Sequence, residues 1–158
     1  MLLKIIGIIL ILLSAAAIGR ELRGALDREL GFATARVSLL SYTRQMIENF
    51  NASGEEILRS CSTELLLECG YIGDRAPKSF SELADACEMG DGESARIFGE
   101  FCRGFGKSYR NEQLRHCEHY LALLTERADR LRQETASRKK IVLVSAVSCG
   151  LMLAILFI

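Results

Sequence analysis

The chain has 158 residues, and its 20 basic and 20 acidic side chains give a formal net charge of zero. This overall balance gives no reason to expect nucleic acid or another polyanion as a partner. Tryptophan is absent, Pro77 is the single proline, and the middle of the chain is rich in Leu, Ala, Glu and Arg, a composition typical of packed α-helices.

The first nineteen residues are apolar and contain one charge, Lys4. Their length predicts a transmembrane helix over residues 1–19, because about twenty apolar residues are needed to cross a bilayer. The small residues Ala15, Ala16 and Ala17 also suit the cleavage site of a signal peptide. A secreted, tail-anchored protein is therefore the alternative.

The helical period continues beyond this segment. Apolar residues recur at steps of three, four or seven, and no strong helix breaker interrupts residues 20–49. The sequence predicts one helix that runs on from the anchor and ends near residues 49–51. Its predicted apolar face comprises Leu22, Leu26, Leu30, Ala33, Val37, Leu40, Ile47 and Phe50.

Three shorter helices are predicted in the middle of the chain, and capping boxes open the first two. The first box, Ser53 to Glu56, opens a helix that ends at Cys69-Gly70. The second, Ser79 to Glu82, opens a short helix that ends at residues 90–92 and points Phe80, Leu83, Ala84 and Cys87 inward. The third covers residues 93–105, is closed by Gly104 and Gly106, and carries Ile97, Phe98, Phe101 and Cys102.

The last segment has a heptad pattern, which predicts a helix from about Arg110 that continues into a C-terminal transmembrane helix over residues 141–158. We favour packing inside a bundle over a dimeric coiled coil, because the first helix offers a partner in the same chain. The seam comprises Leu114, Cys117, Leu121, Leu124, Ala128, Leu131 and Thr135.

Charges beside the two anchors predict the topology. Basic residues are enriched on the side of the central domain, at Arg20, Arg138, Lys139 and Lys140, whereas Lys4 stands alone on the other side. By the positive-inside rule, the domain over residues 20–140 is cytoplasmic. The predicted fold is all-α: a membrane-anchored antiparallel bundle whose terminal helices are continuous with long cytoplasmic helices.

Candidates for chemistry are few. The domain has five cysteines without a framework spacing, which predicts free thiols in a reducing compartment. His116 and His119 lie on one helix face, and Cys87 or Cys102 could complete a metal site, but solvated surface histidines are the favoured interpretation. We therefore expect no enzyme, no metal and no cofactor, with a membrane-tethered metal- or redox-responsive sensor as the alternative.

The order of segments and one stretch, residues 98–124, resemble the stage III sporulation protein AB family of endospore-forming bacteria. The positions that carry the resemblance are Phe98, Gly99, Gly106, Ser108 and Gln113. Tyr109 stands where the family pattern has an aspartate, so we expect Ser108 or Asn111 to cap the last helix instead.

The resemblance implies a role. It implies membership of the transenvelope complex that links mother cell and forespore, and a helical domain similar to the cytoplasmic domains of the platform proteins of type II secretion and type IV pili. It implies a two-pass protein of the cell membrane, with its domain on the mother-cell side, that acts with other channel subunits and an ATPase. We place the ATPase contact near Arg127 and Arg130, and leave self-association open.

Overall fold

A computed structural model describes the backbone of residues 2–87 and 92–157, and the side chains of residues 24, 27–87, 92–138 and 141. Regular structure in these residues is helical, apart from one isolated antiparallel bridge between Tyr71 and Cys87. The predicted all-helical fold is confirmed. The helices are α1 (Leu2–Phe50), α2 (Gly54–Ser60), α3 (Thr63–Glu68), α4 (Phe80–Asp85), α5 (Glu93–Gly104) and α6 (Arg110–Phe157).

The two terminal helices have the predicted lengths. Helix α1 spans 49 residues and ends at Phe50, and α6 spans 48 residues from Arg110 to Phe157 without a break. Among the residues that the structure describes, no helix is both long and apolar enough to cross a membrane. The side chains of the predicted anchors, residues 1–19 and 141–158, lie outside the described set apart from Ile141.

The chain divides into two compact units. One comprises residues 29–130 and contains the hydrophobic core, which the middle parts of the long helices build together with α2 to α5. The other comprises residues 1–28 and 131–158, and among its described side chains Leu131 and Thr135 are buried.

Within residues 29–130, α1 and α6 pair in antiparallel fashion. Near one end of the pair, Arg127 Nη2 lies 3.2 Å from Glu29 Oε1. Further along, Arg44 Nε lies 3.6 Å from Glu118 Oε1. The predicted heptad seam on α6 faces the core. Cys117 and Leu124 are fully buried, Ala128 is 6% exposed, and Leu114 and Leu121 are half-buried.

The apolar face of α1 differs from the prediction at two positions. Phe50 was expected to be buried but is 70% exposed, because it is the last residue of the helix and Asn51 turns the chain at φ 50°. Arg36 lies on this face and is buried, although the prediction for the face contains only apolar residues. The buried side chains of this face are Ala33, Ala35, Arg36, Leu39, Leu40, Thr43 and Ile47.

The helix predicted from residue 53 to residue 69 is two helices. The capping box of Ser53 and Glu56 opens α2 as predicted. The chain becomes extended at Cys61, with ψ 142°, and the Ser62 hydroxyl then accepts a hydrogen bond from the Leu65 N–H at 3.3 Å. Because a serine at this position caps a new helix, the backbone changes direction between α2 and α3.

Helix α4 is shorter than predicted and its capping box is half formed. The Ser79 hydroxyl accepts from the Glu82 N–H at 3.1 Å, but the Glu82 carboxylate accepts from the Lys78 N–H. The helix ends at Asp85, because the Ala86 carbonyl accepts a hydrogen bond from Ile72 and joins the bridge instead. Phe80, Leu83, Ala84 and Cys87 are buried as predicted, although Cys87 lies beyond the helix.

Candidate functional site

Of the family-pattern positions, Gly106 and Ser108 lie in the connection between α5 and α6, Gln113 lies in the first turn of α6, and Phe98 and Gly99 lie within α5. Phe98 is fully buried in the core and Gly99 is buried beside it. Gly106 has φ 83°, a conformation that favours glycine because a Cβ would be strained there. The Gln113 amide donates to the Ser108 carbonyl at 2.7 Å, which ties the first turn of α6 to the connection. Gly106, Ser108 and Gln113 therefore contribute to the shape of the connection.

The beginning of α6 differs from the expected cap. In the described structure neither the Ser108 nor the Asn111 side chain accepts a hydrogen bond from the first turn. The Tyr109 carbonyl instead accepts from the N–H groups of Glu112 and Gln113, both at 2.9 Å. The Tyr109 side chain itself is 88% exposed.

Arg110 joins this connection to the C-terminal end of α1. Its guanidinium donates to the carbonyl of Glu48 at 2.7 Å and to that of Ile47 at 3.3 Å. A cation favours the partial negative charge at a helix C-terminus, and α1 has no basic residue of its own in its last turn. Arg110 therefore acts as a clamp between the two long helices.

Aromatic rings fill the space beneath the connection. Phe101 lies at the centre, within 5.3–5.9 Å of the rings of Phe80, Phe105, His116 and Tyr120. The His116 ring stacks on Phe101, and its Nε2 lies 3.1 Å from the Phe101 carbonyl. Because a carbonyl only accepts, Nε2 carries the proton in this contact.

The histidines thus have different surroundings. His119 is exposed as predicted, whereas His116 is half-buried among aromatic rings, and the expectation of a solvated surface residue is wrong for it. A Cβ on Gly104 would approach the His116 ring to 2.6 Å, so α5 and α6 come close at this point. Among the described residues no cluster of three or more His, Cys, Asp or Glu side chains is arranged to hold a metal ion.

The five cysteines of the predicted domain are free thiols in the structure, as the sequence predicted. Cys69, Cys87, Cys102 and Cys117 are buried, and Cys61 is half-buried. Burial raises the pKa of Cys87 to about 11 and that of Cys117 to about 12. Protonated thiols are poor nucleophiles and poor metal ligands, so these cysteines serve as small apolar core residues.

Arg36 is the most unusual polar residue of the core. It is 1% exposed, and its guanidinium lies 5.4 Å from the ring centres of both Phe32 and Phe98. One nitrogen, Nη1, donates to the Ser94 hydroxyl at 3.1 Å, whereas Nε and Nη2 have no hydrogen-bond partner. Burial lowers the pKa of the guanidinium below its ordinary value.

The two arginines proposed as a partner face occupy different environments. The Arg127 side chain is 18% exposed and lies 3.2 Å from Glu29 and 3.4 Å from Glu93, so it links α1, α5 and α6. The Arg130 side chain is 59% exposed and is ion-paired with Glu126 one turn earlier. An open cleft of about 680 Å³ lies along the same part of α6 and is lined by Arg44, Glu118, Leu121, Ala122, Thr125, Glu126 and Asp129.

Among the charges predicted to flank the membrane, the described side chain is that of Arg138, which is exposed. The side chains of Lys4, Arg20, Lys139 and Lys140 lie outside the described residues.

Sequence reasoning missed the roles of Arg36 and Arg110. Arg36 lies three residues after Ala33 and four before Leu40, which is the period of the buried face, and this spacing was the available signal. Nothing in the sequence indicated the contact of Arg110, because its acceptors are backbone carbonyls more than sixty residues earlier in the chain.

Comparison with known proteins identifies the family. The sequence model described as stage III sporulation protein AB (spore_III_AB) matches residues 4–158. The comparisons with curated proteins and with solved structures give no significant match. Because the matched range covers nearly the whole chain, the protein belongs to the stage III sporulation protein AB family.

Proposed function

We propose, from its membership of the stage III sporulation protein AB family, that this protein is a non-enzymatic membrane platform of the channel complex between mother cell and forespore. In this proposal residues 1–19 and 141–158 anchor the chain in the cell membrane. The domain between them lies in the mother-cell cytoplasm and engages a motor ATPase of the same complex.

The continuity of the two long helices carries this proposal. Each of α1 and α6 contains a segment predicted as an anchor and also a face of the hydrophobic core. Backbone hydrogen bonds join each turn of an α-helix to the next, so in this proposal the two helices connect the anchors to the domain. A platform of this kind needs no catalytic group, and the buried thiols with raised pKa values suit a structural role.

The α6 face near Arg127 and Arg130 is the proposed ATPase contact, and Arg130 is its accessible member. Arg130 is ion-paired with Glu126, which lines the cleft together with Leu121 and Ala122. Apolar contact area within a charged rim is the usual composition of a protein interface. Arg127 is expected to support this face from inside, through Glu29 and Glu93.

Charge reversal tests the contact. The full chain in detergent micelles, with Arg130→Glu, should bind the purified ATPase about tenfold more weakly than the wild type, because a like charge replaces a complementary one. Arg59→Glu is the matched control, since Arg59 also forms an exposed ion pair one turn away, with Glu55. Equal binding by the Arg130→Glu variant would remove this face from the proposal.

Thiol labelling tests the topology. Cys61 is the most accessible of the described cysteines, so an impermeant maleimide should label it only after the cells are permeabilised. Labelling of Cys61 in intact cells would contradict the cytoplasmic location and favour the alternative with a cleaved signal peptide.

A further inference from the structure

Two large aromatic side chains are exposed at one end of the unit formed by residues 29–130. Phe50 ends α1 and is 70% exposed, and Tyr109 precedes α6 and is 88% exposed. Arg110 donates hydrogen bonds to the carbonyls of Ile47 and Glu48, so Tyr109, directly before Arg110, and Phe50, two residues after Glu48, belong to the two segments that this contact joins.

A second contact places the same segments together. A Cβ on Gly54, at the start of α2, would lie 3.2 Å from the Phe105 ring, which belongs to the connection between α5 and α6. The chain around Phe50 and the chain around Tyr109 are therefore neighbours. Exposed aromatic residues are enriched in protein interfaces, and tyrosine is one of the residue types that most often dominate binding energy.

The stretch of chain over residues 103–115, which contains Tyr109, is mostly basic in its charged residues. Arg103, Lys107 and Arg115 are exposed, and none of them has an ion-pair partner among the described residues. Glu112 is the acidic residue of this stretch. Among the acidic residues of α1, α2 and α5, Glu48 is ion-paired with Arg44, Glu55 with Arg59 and Glu100 with Arg96.

We propose that this turn surface, formed by Phe50, Arg103, Lys107, Tyr109 and Arg115, binds an acidic segment of another protein that carries a large apolar side chain. The unneutralised basic groups attract the acidic segment, and the two aromatic rings contact its apolar residue. The surface is separate from the Arg130 face. The inference rests on the proposed function only in expecting the partner to be a subunit of the same channel complex.

Site-specific photo-crosslinking in sporulating cells tests the inference. A photoreactive phenylalanine analogue replaces Tyr109 in the full chain, and mass spectrometry identifies the cross-linked peptide. Ile72 is the matched control position, because it is 69% exposed and lies in the connection between α3 and α4. We expect the analogue at position 109 to be cross-linked to an acidic peptide that contains a large apolar residue. We expect the analogue at position 72 to give no such cross-link.

Charge reversal supplies the second readout. The pair Lys107→Glu and Arg115→Glu should reduce the yield of the cross-link at position 109 about tenfold, since two attractive charges become repulsive. The pair Arg75→Glu and Lys78→Glu is the control, because both residues are exposed basic groups elsewhere on the unit. An unchanged yield with the first pair would overturn the proposal.

The other outcomes of the cross-linking experiment also decide whether the inference holds. A cross-link to lipid or nucleic acid, or no cross-link above that of position 72, overturns the inference. If the gene is nevertheless required for sporulation, the platform proposal survives without this surface. If cross-linking gives the expected acidic peptide but sporulation does not require the gene, the surface stands and the proposed function fails.

Discussion

Replacing Arg36 with methionine is expected to leave the protein as stable as the wild type, or up to about 2 kcal/mol more stable. This result would be unusual for a fully buried position. It follows because the guanidinium has one hydrogen-bond acceptor, the Ser94 hydroxyl, while Nε and Nη2 have none. A buried cation that is not in a salt bridge carries a desolvation cost that its hydrogen bond, its ring contacts and the more distant Glu29 carboxylate must offset.

The favourable and unfavourable contributions of the Arg36 guanidinium to stability nearly cancel. The hydrogen bond to Ser94 contributes about 1.5–3 kcal/mol, and the contacts with the rings of Phe32 and Phe98 contribute about 0.5–2 kcal/mol each. The two nitrogens without a hydrogen-bond partner, Nε and Nη2, cost about 1–3 kcal/mol each, before the desolvation of the charge is added. Methionine fills most of the same space and places its sulfur near the rings, which is favourable by about 0.3–1.5 kcal/mol.

Urea unfolding of the full chain in detergent micelles, followed by far-UV circular dichroism, measures the difference. Arg36→Ala is the comparison variant, and we expect it to lower the free energy of unfolding by about 2–5 kcal/mol through the cavity it leaves. Arg59→Met, at an exposed position, should stay within about 0.5 kcal/mol of the wild type. If Arg36→Met destabilises as much as Arg36→Ala, the buried charge is favourable and the reasoning is wrong.

Three further predictions use the same unfolding assay. Arg110→Ala should lower the free energy of unfolding by about 1–2 kcal/mol, because the last carbonyls of α1 lose their cationic donor, and an unchanged value would refute the clamp. Gly106→Ala should cost about 1 kcal/mol because φ is 83°, whereas Gly31→Ala, in an open part of α1, should gain about 0.5–1 kcal/mol; the same sign for both would contradict the assigned conformations. Burial raises the pKa of Cys117 from 9.0 to about 12, so the unfolded chain loses this thiol proton at lower pH than the folded chain. The contribution of the buried thiol to the free energy of unfolding is therefore complete below pH 9.0 and should fall as the pH rises to about 12. Cys117→Ala should make this fall smaller, and an equal fall in both proteins would refute the assignment.

Long periodic helices were predictable because each turn repeats the same signal. The heptad seam of α6 identified its buried face, and the capping box of Ser53 and Glu56 identified the start of α2. In both cases, the residues that determine the structure lie within a few positions of one another. Local patterns of this kind need no knowledge of the tertiary fold.

Two of the errors, at Arg36 and His116, occur where a distant contact decides, and the error at α2 and α3 has a local cause. The break between α2 and α3 depends on Ser62, which caps the new helix α3. The apolar pattern continues through this position unchanged, so it does not show the break. The burial of Arg36 depends on Phe98 and Ser94, about sixty residues away. His116 resembled a surface residue because its stacking partner, Phe101, lies on another helix.

The candidate partner surfaces were predicted only in part. The sequence indicated Arg127 and Arg130 as neighbours on α6. In the structure Arg127 is largely buried and ion-paired with Glu29 of α1, whereas Arg130 forms an exposed ion pair with Glu126. The exposure of Tyr109 could not be inferred, because the sequence places it between a glycine-rich connection and a helix without showing which side is solvated.

Deletion of the gene in its own sporulating host, followed by a count of heat-resistant spores, tests the central claim most directly. We expect normal vegetative growth and a severe loss of heat-resistant spores, with microscopy showing arrest after engulfment and the full chain restoring sporulation. Normal spore numbers in the deletion strain would contradict a role in the channel between mother cell and forespore.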